Sequence, residues 1–310
     1  MFSCCDCEPT ACLHMVRARL WPASLSSPKI AFNIRSVSRG RSIFCWNAKV
    51  ALGISAKPST LSPLINYNKE RGSVMISMDA LFGLPRKKSA GQSHRDPLHG
   101  HIFFKDQPSV DEHVASSSRR NACDKVCSDF LAGDVLRSSN RYKALDETAL
   151  FGCACRHEFP LMFINLKHGE RISYAEWLLQ EMVQSYPAEI KLHVMYDIAC
   201  TLNKYMQKYE GNNVLLKKVQ LCLPIFHAYG HKPQCQIIFS PLRCDGLGLS
   251  DGEVMERLWS FLRRFSRMTK EMRPAHRTDV LCHALIYYGY KTKRKLGSLL
   301  LNRWKKAEQM

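Results

Sequence analysis

The order in which apolar runs and amphipathic stretches follow one another limits the folds open to this chain more than any other feature. Val74-Met75-Ile76-Ser77-Met78-Asp79 reads as a buried strand, a short and nearly continuous apolar run closed by a charge. Residues 150–155 and 161–166 are two more such runs, and Arg156-His157-Glu158-Phe159-Pro160 between them fits a hairpin. Over 174–186, Trp177, Leu178, Met182 and Val183 fall on one side of a predicted helix. The pattern then predicts a strand over 190–196, helices over 199–209 and 214–221 with a break at Gly211, and a short last strand over 237–239. Helices are predicted over 253–268 and 278–304. The polar stretch 85–148, with His94, His99 and His101, reads as a long insertion holding some helix near 122–136.

In sequence order this is β, insertion, β, β, α, β, α, insertion, β, α, α. That is the order of an RNase H-like domain: an α/β fold with a mixed sheet, helices on both faces, a long insertion after the first strand and a second insertion before the last helices. In such a domain, acids from the first strand, the fourth strand and a late helix converge. Asp79, Asp197 and Glu253 stand in those three slots. Three carboxylates suit two Mg²⁺ or Mn²⁺ ions, which take oxygen ligands and steady the attacking and leaving oxygens of an in-line phosphoryl transfer. Each acid also has a plainer reading. Asp79 can form a turn, Asp197 can cap the helix predicted from Ala199, and Glu253 can favour a helix N-terminus or pair with Arg257. Asp251 and Glu256 compete with Glu253 for the same role.

A second constellation is Cys222, His227, His231 and Cys235. On a helical turn the two histidines share a face, and two Cys with two His would close a tetrahedral, structural Zn²⁺ site. Pro224, Gly230 and Pro233 make the segment poor at holding itself by regular hydrogen bonds, and the insertion 221–250 is therefore expected to bind zinc. Two buried cysteines with a pair of surface imidazoles is the rival. Cys153, Cys155 and His157 are a weaker cluster, since alternating cysteines in a strand more often just pack. Cys4, Cys5, Cys7 and Cys12 crowd the start of residues 1–70, a region punctuated by Pro22, Pro28, Pro58 and Pro63 and expected to be poorly ordered. The globular domain is expected to occupy 71–310.

The formal net charge of +18 is unevenly placed. From Arg257 to Glu308 there are 14 Lys and Arg against three acids, a net +11. Such an excess suits a polyanion, nucleic acid first and an anionic membrane surface second. Arg257, Arg263, Arg264 and Arg267 are the candidate phosphate contacts, beside an apolar helix face in which Trp259 is expected to be core. No run approaches a membrane span, and Met1-Phe2-Ser3-Cys4-Cys5-Asp6-Cys7 lacks an apolar signal core. The expectation is an intracellular protein whose 14 cysteines are reduced thiols or metal ligands. Lys291-Thr292-Lys293-Arg294-Lys295 reads as a nuclear import signal or as a basic helix face.

Longer motifs add to this. Ser77-Met78-Asp79-Ala80-Leu81-Phe82-Gly83-Leu84, Gly152-Cys153-Ala154-Cys155-Arg156-His157-Glu158-Phe159-Pro160 and Tyr196-Asp197-Ile198-Ala199-Cys200 resemble the Kyakuja-Dileera-Zisupton transposases. So do the run from Leu223 to Cys235, with Phe226-His227-Ala228-Tyr229-Gly230-His231 at its centre, and the run from Gly246 to Ser260, with Gly252-Glu253-Val254-Met255-Glu256-Arg257-Leu258-Trp259-Ser260 at its end. The resemblance covers about 73–306. It implies a DDE-type transposase that cleaves and joins DNA with divalent metal, acts on transposon ends and target DNA as a possible homo-oligomer, and works in the nucleus. The family's motif acids map to Asp79, Asp197 and Glu253. Cys5-Asp6-Cys7 and Leu20-Trp21-Pro22-Ala23 look like the tail of the family's N-terminal cysteine cluster, and Ala80 stands where members usually have Gly. A truncated front leaves a second reading: a non-catalytic, transposase-derived, zinc-containing DNA-binding protein.

Overall fold

β1 (Ser73–Leu81) is the central strand. Residues 74–78 are all buried, so the strand is covered on both faces. That is why it reads as an apolar run and not as an alternation. The structure, a computed structural model, describes residues 72–117, 143–169, 171–208, 213–248 and 250–309. Of these, 72–293 belong to one compact unit and 294–309 to a second. β2 (Arg86–Lys87) and β3 (Leu145–Glu147) pair with each other in a small antiparallel sheet. β4 (Ala149–Cys155) lies antiparallel to β1, and β5 (Pro160–Leu166) antiparallel to β4. On the other side β6 (Lys191–Met195) runs parallel to β1, and β7 (Val219–Cys222) parallel to β6. The result is a mixed sheet of five strands in the order β5-β4-β1-β6-β7.

Two expected elements are corrected. The stretch 214–221, expected to be one helix, divides into a helix ending at Lys218 and the strand β7. Val219, Leu221 and Cys222 are buried beside β6, and sheet pairing there outweighs the helical spacing of the apolar residues. The last strand expected over 237–239 is instead the end of a helix, which Pro233 starts from its favoured first-turn position.

Among the described residues the helices are α1 (Gly100–Phe103), α2 (Gln107–Ser116), α3 (Ile172–Gln184), α4 (Ala199–Lys208), α5 (Asn213–Lys218), α6 (Ile225–Ala228), α7 (Pro233–Ile238), α8 (Val254–Leu262), α9 (Ser266–Thr269) and α10 (Pro274–Glu308). The helix predicted near 122–136 lies outside the described residues. α8 matters most for the site. Val254, Met255, Leu258, Trp259 and Leu262 bury one face of it against Leu81, Leu150, Phe163 and the α10 residues Leu281 and Leu285. Each such side chain contributes roughly 1.5–3 kcal/mol when buried, so α8 is firmly seated on β1 and β4. The helix expected over 253–268 is interrupted after Leu262 by a 3-10 turn over Arg263–Phe265.

Among the described residues two arginines are fully buried, Arg86 and Arg277, and they join the small sheet to α10. Arg86 pairs with Asp146 and lies 3.5 Å from Glu147; Arg277 lies 2.5 Å from Glu147 and donates to Asn165 Oδ1 at 2.7 Å and to the Leu84 carbonyl at 2.8 Å. Buried cations persist only when paired and hydrogen-bonded in this way.

Candidate active site and thiolate cluster

Asp79 and Asp197 lie at the same end of neighbouring parallel strands. The parallel register pairs Ser77 with Met195; two residues further along each chain are Asp79, still in β1, and Asp197, just beyond β6. Asp79 accepts a 2.8 Å hydrogen bond from the Trp259 indole N–H of α8. Trp259 in turn meets Phe163 edge-on at 6.1 Å between ring centroids. Phe163 fits because Gly152, directly opposite Asp79 on β4, has no side chain: a Cβ there would come within 2.3 Å of the Phe163 ring. A glycine, two aromatic rings and the carboxylate therefore form one packed series from β4 to the tip of β1.

Asp197 is only partly exposed, and its Oδ1 accepts the backbone N–H of Ile198 at 2.8 Å. Its carboxyl titrates above the ordinary range. Burial is the main cause and the nearby negative charge of Glu256 adds to it, while His227 and the Ile198 N–H pull the other way. The plainer reading of Asp197 as a helix cap is thus only locally satisfied, since its bond reaches the next residue and not the α4 interior.

Glu253 occupies the N-cap position of α8, but its side chain makes no capping hydrogen bond. Its Oε1 accepts the Phe226 N–H at 3.1 Å and its Oε2 lies 3.3 Å from His227 Nδ1. This contact, followed by the charge of Glu253 and Asp197, raises the His227 pKa against the effect of burial. The backbone brings the two segments together: Ile225 N–H donates to the Asp251 carbonyl at 2.9 Å. Gly252 has φ +83°, and a Cβ on it would approach Pro224 Cα to 2.9 Å, so both its conformation and its close approach call for glycine. Asp251 is taken up by Arg257 at 3.0 Å. Glu256, one turn further along α8, is exposed and acts on Asp197 electrostatically. It lies three residues before Trp259, on the same side of the helix as the bond to Asp79. Glu253 and Glu256 are thus the two acids that the start of α8 sets near His227 and Asp197.

The expected zinc quartet does not gather. Cys222 closes β7, and its pairing opposite Met195 holds it among Met75, Met195 and Leu247. Its thiol donates to Cys244 Sγ at 3.2 Å, and burial pushes its pKa well up. His227 is turned to Glu253. His227 and His231 do not share one helix face, because α6 ends at Ala228. Cys235 and His231 instead meet Cys200, whose Sγ is 3.5 Å from His231 Nδ1. One ligand atom from each of the three lies within 4.8 Å of the others, an arrangement able to hold a metal such as zinc. Among the described residues this is the one such group of three or more Cys, His, Asp or Glu. Sequence reasoning missed Cys200, which sits 31 residues before His231 in the first turn of α4. Cys153 and Cys155 are buried in β4 and simply pack, with burial raising both thiol pKa values, that of Cys155 to about 11. The N-terminal cysteines lie outside the described residues.

Residues 72–287 match the family described as Kyakuja-Dileera-Zisupton transposase. The chain belongs to that family. No curated protein and no solved structure matches it. Membership assigns transposase function at the level of the family and implies DNA as a partner. No helix among the described residues is long and apolar enough to cross a membrane.

The four arginines singled out in this transposase-family chain are not alike. Arg257 is held between Glu158 at 2.6 Å and Asp251 at 3.0 Å, with Glu158 also accepting the Tyr288 hydroxyl at 3.2 Å. It fastens α8 to the β4–β5 hairpin and to α10. Arg263, Arg264 and Arg267 are exposed, and among the described residues none of them is in an ion pair. They follow α8 directly and remain available to an anion.

Proposed function

We propose that the protein is a DDE-type transposase on an RNase H-like fold, cutting DNA and joining its 3′ ends to a target with divalent metal. The observation that carries this reading is the placement of Asp79 and Asp197 at the same end of adjacent parallel strands, with a helix start that bears Glu253 and Glu256. The sheet order β5-β4-β1-β6-β7, antiparallel on one side of β1 and parallel on the other, supports the same fold. The donor set suits hard cations: carboxylate oxygens alone, crowded enough that burial and Glu256 disfavour a charged Asp197. Two Mg²⁺ or Mn²⁺ ions held by Asp79, Asp197 and a glutamate would generate the nucleophile and stabilise the leaving 3′-oxygen.

The chain's own residues set the geometry. Trp259 aims the Asp79 carboxylate, and the Ile198 N–H orients Asp197. The Phe226 N–H and His227 hold Glu253. Released from His227, Glu253 would be free to serve as the third ligand; held there, it leaves that role to Glu256. Arg263, Arg264 and Arg267 offer bidentate donors to phosphates. Transposon ends, target DNA and further copies of the chain are the proposed partners, and a nuclear location follows from the substrate. The test is metal-dependent cleavage of labelled duplex DNA by the purified chain, comparing Glu253→Gln with Glu256→Gln. A rate lowered at least tenfold by one of them supports a helix-borne third carboxylate; full rates for both remove it.

A further inference from the structure

We propose that Cys200, His231 and Cys235 bind one zinc ion, with water as fourth ligand, and that this ion fastens the Asp197 strand tip to the segment carrying His227. Cys200 and Cys235 are buried, and His231 is half-buried and reached by solvent. Two thiolates and an imidazole form a borderline-soft donor set that selects zinc over the hard cations suited to the carboxylates. Tetrahedral zinc, with Zn–S of about 2.3 Å and Zn–N of about 2.0–2.1 Å, sets ligand atoms roughly 3.5–3.8 Å apart. Cys200 Sγ and His231 Nδ1 already stand at 3.5 Å, and no pair in the group exceeds 4.8 Å. Closing the site takes a movement of about 1 Å at most on that geometry.

The elements involved need such a fastening. α6 has four residues and α7 six, too short to hold as isolated helices. Gly230 lies in the turn between them, and Pro233 is the first residue of α7. Cys235 sits in the first turn of α7, where its N–H bonds the Lys232 carbonyl at 2.9 Å, and Gln236 Nε2 bonds the His231 carbonyl at 2.8 Å. Those local bonds preset two of the three ligands. The third, Cys200, follows Asp197 by three residues. A metal here ties the backbone just beyond Asp197 to the segment in which His227 meets Glu253. This coupling to the chemistry rests on the carboxylate reading above; the binding of zinc does not.

Zinc content of the purified full chain tests it by difference, so metal on the N-terminal cysteines cancels. Cys200→Ser and Cys235→Ser should each lose about one equivalent relative to wild type, while Cys222→Ser and Asp197→Asn should lose none. Wild-type zinc content in both Cys200→Ser and Cys235→Ser would overturn the proposal. A second measurement on unmutated protein guards against misfolded variants: thiol alkylation read residue by residue, with and without chelator. Chelation should raise labelling of Cys200 and Cys235 several-fold and leave buried Cys282 unchanged. Equal labelling of Cys200 and Cys235 in both conditions would also overturn it. If the zinc results hold but the wild-type chain fails to cut DNA, the carboxylate reading fails alone.

Discussion

Replacing Trp259 with Phe removes the indole donor to Asp79 while keeping an aromatic ring in the cluster with Phe163. The lost bond is 2.8 Å long and reaches a carboxylate, from a side chain that is 1 % exposed. Hydrogen bonds to charged groups contribute about 1.5–3 kcal/mol, and the smaller ring adds about 1 kcal/mol of lost packing. Urea denaturation should therefore show a loss of about 2.5–4 kcal/mol on these principles. If the bond aims Asp79 for catalysis, cleavage of duplex DNA should fall about ten- to a hundredfold, at 1.4 kcal/mol per tenfold. Phe163→Leu, which disturbs the same cluster without touching the donor, should lower stability with a smaller loss of cleavage. A Trp259→Phe protein that cuts at the wild-type rate would refute the reasoning, as would equal cleavage losses for the two variants.

Three further outcomes are expected. Asp197→Asn, measured in metal-free buffer, should melt higher than wild type at pH 7. The raised Asp197 pKa means its contribution to stability is present below its ordinary 3.8 and lost as pH rises through the raised value, so the advantage of Asn should vanish below about pH 4; a gap independent of pH would contradict this. Arg277→Met should cost about 3–5 kcal/mol in urea denaturation because it leaves buried Glu147 short of a partner, and a cost under about 1 kcal/mol, the range of an exposed pair, would show the pairing to be idle. Changing Arg263, Arg264 and Arg267 together to Glu should weaken duplex binding and flatten its salt dependence without altering zinc content; an unchanged titration would place the DNA path elsewhere.

How much could be read beforehand followed from how local each signal was. β1, β4, β5 and β6 stand out as short apolar runs, and Asp79 and Asp197 are legible as the charges that close two of them. β7 was read as helix because Val214, Leu215 and Leu221 are spaced helically and no Gly or Pro marks the break at Lys218. The pairing that makes it a strand belongs to β6, more than twenty residues away. The apolar Ile237-Ile238-Phe239 looks like a last strand, whereas Pro233 in the first turn starts the helix that forms there. Cys222 had the right residue type in the right neighbourhood, but sheet register takes it to Cys244. Cys200 carried no local sign of a ligand, since its partners arrive only through the fold. The engagement of Glu253 by His227 was likewise invisible, because Gly252 and the Ile225 N–H bring those segments together across a loop.

The central claim, that this chain cuts DNA with metal held by Asp79 and Asp197, is tested most directly by incubating the purified protein with end-labelled duplex DNA and Mg²⁺ or Mn²⁺. The account predicts nicks bearing 3′-hydroxyl ends that require the ion and disappear in Asp197→Asn, while that variant keeps its fold and its zinc. Cleavage by Asp197→Asn at the wild-type rate, or by wild type in excess chelator, would contradict it.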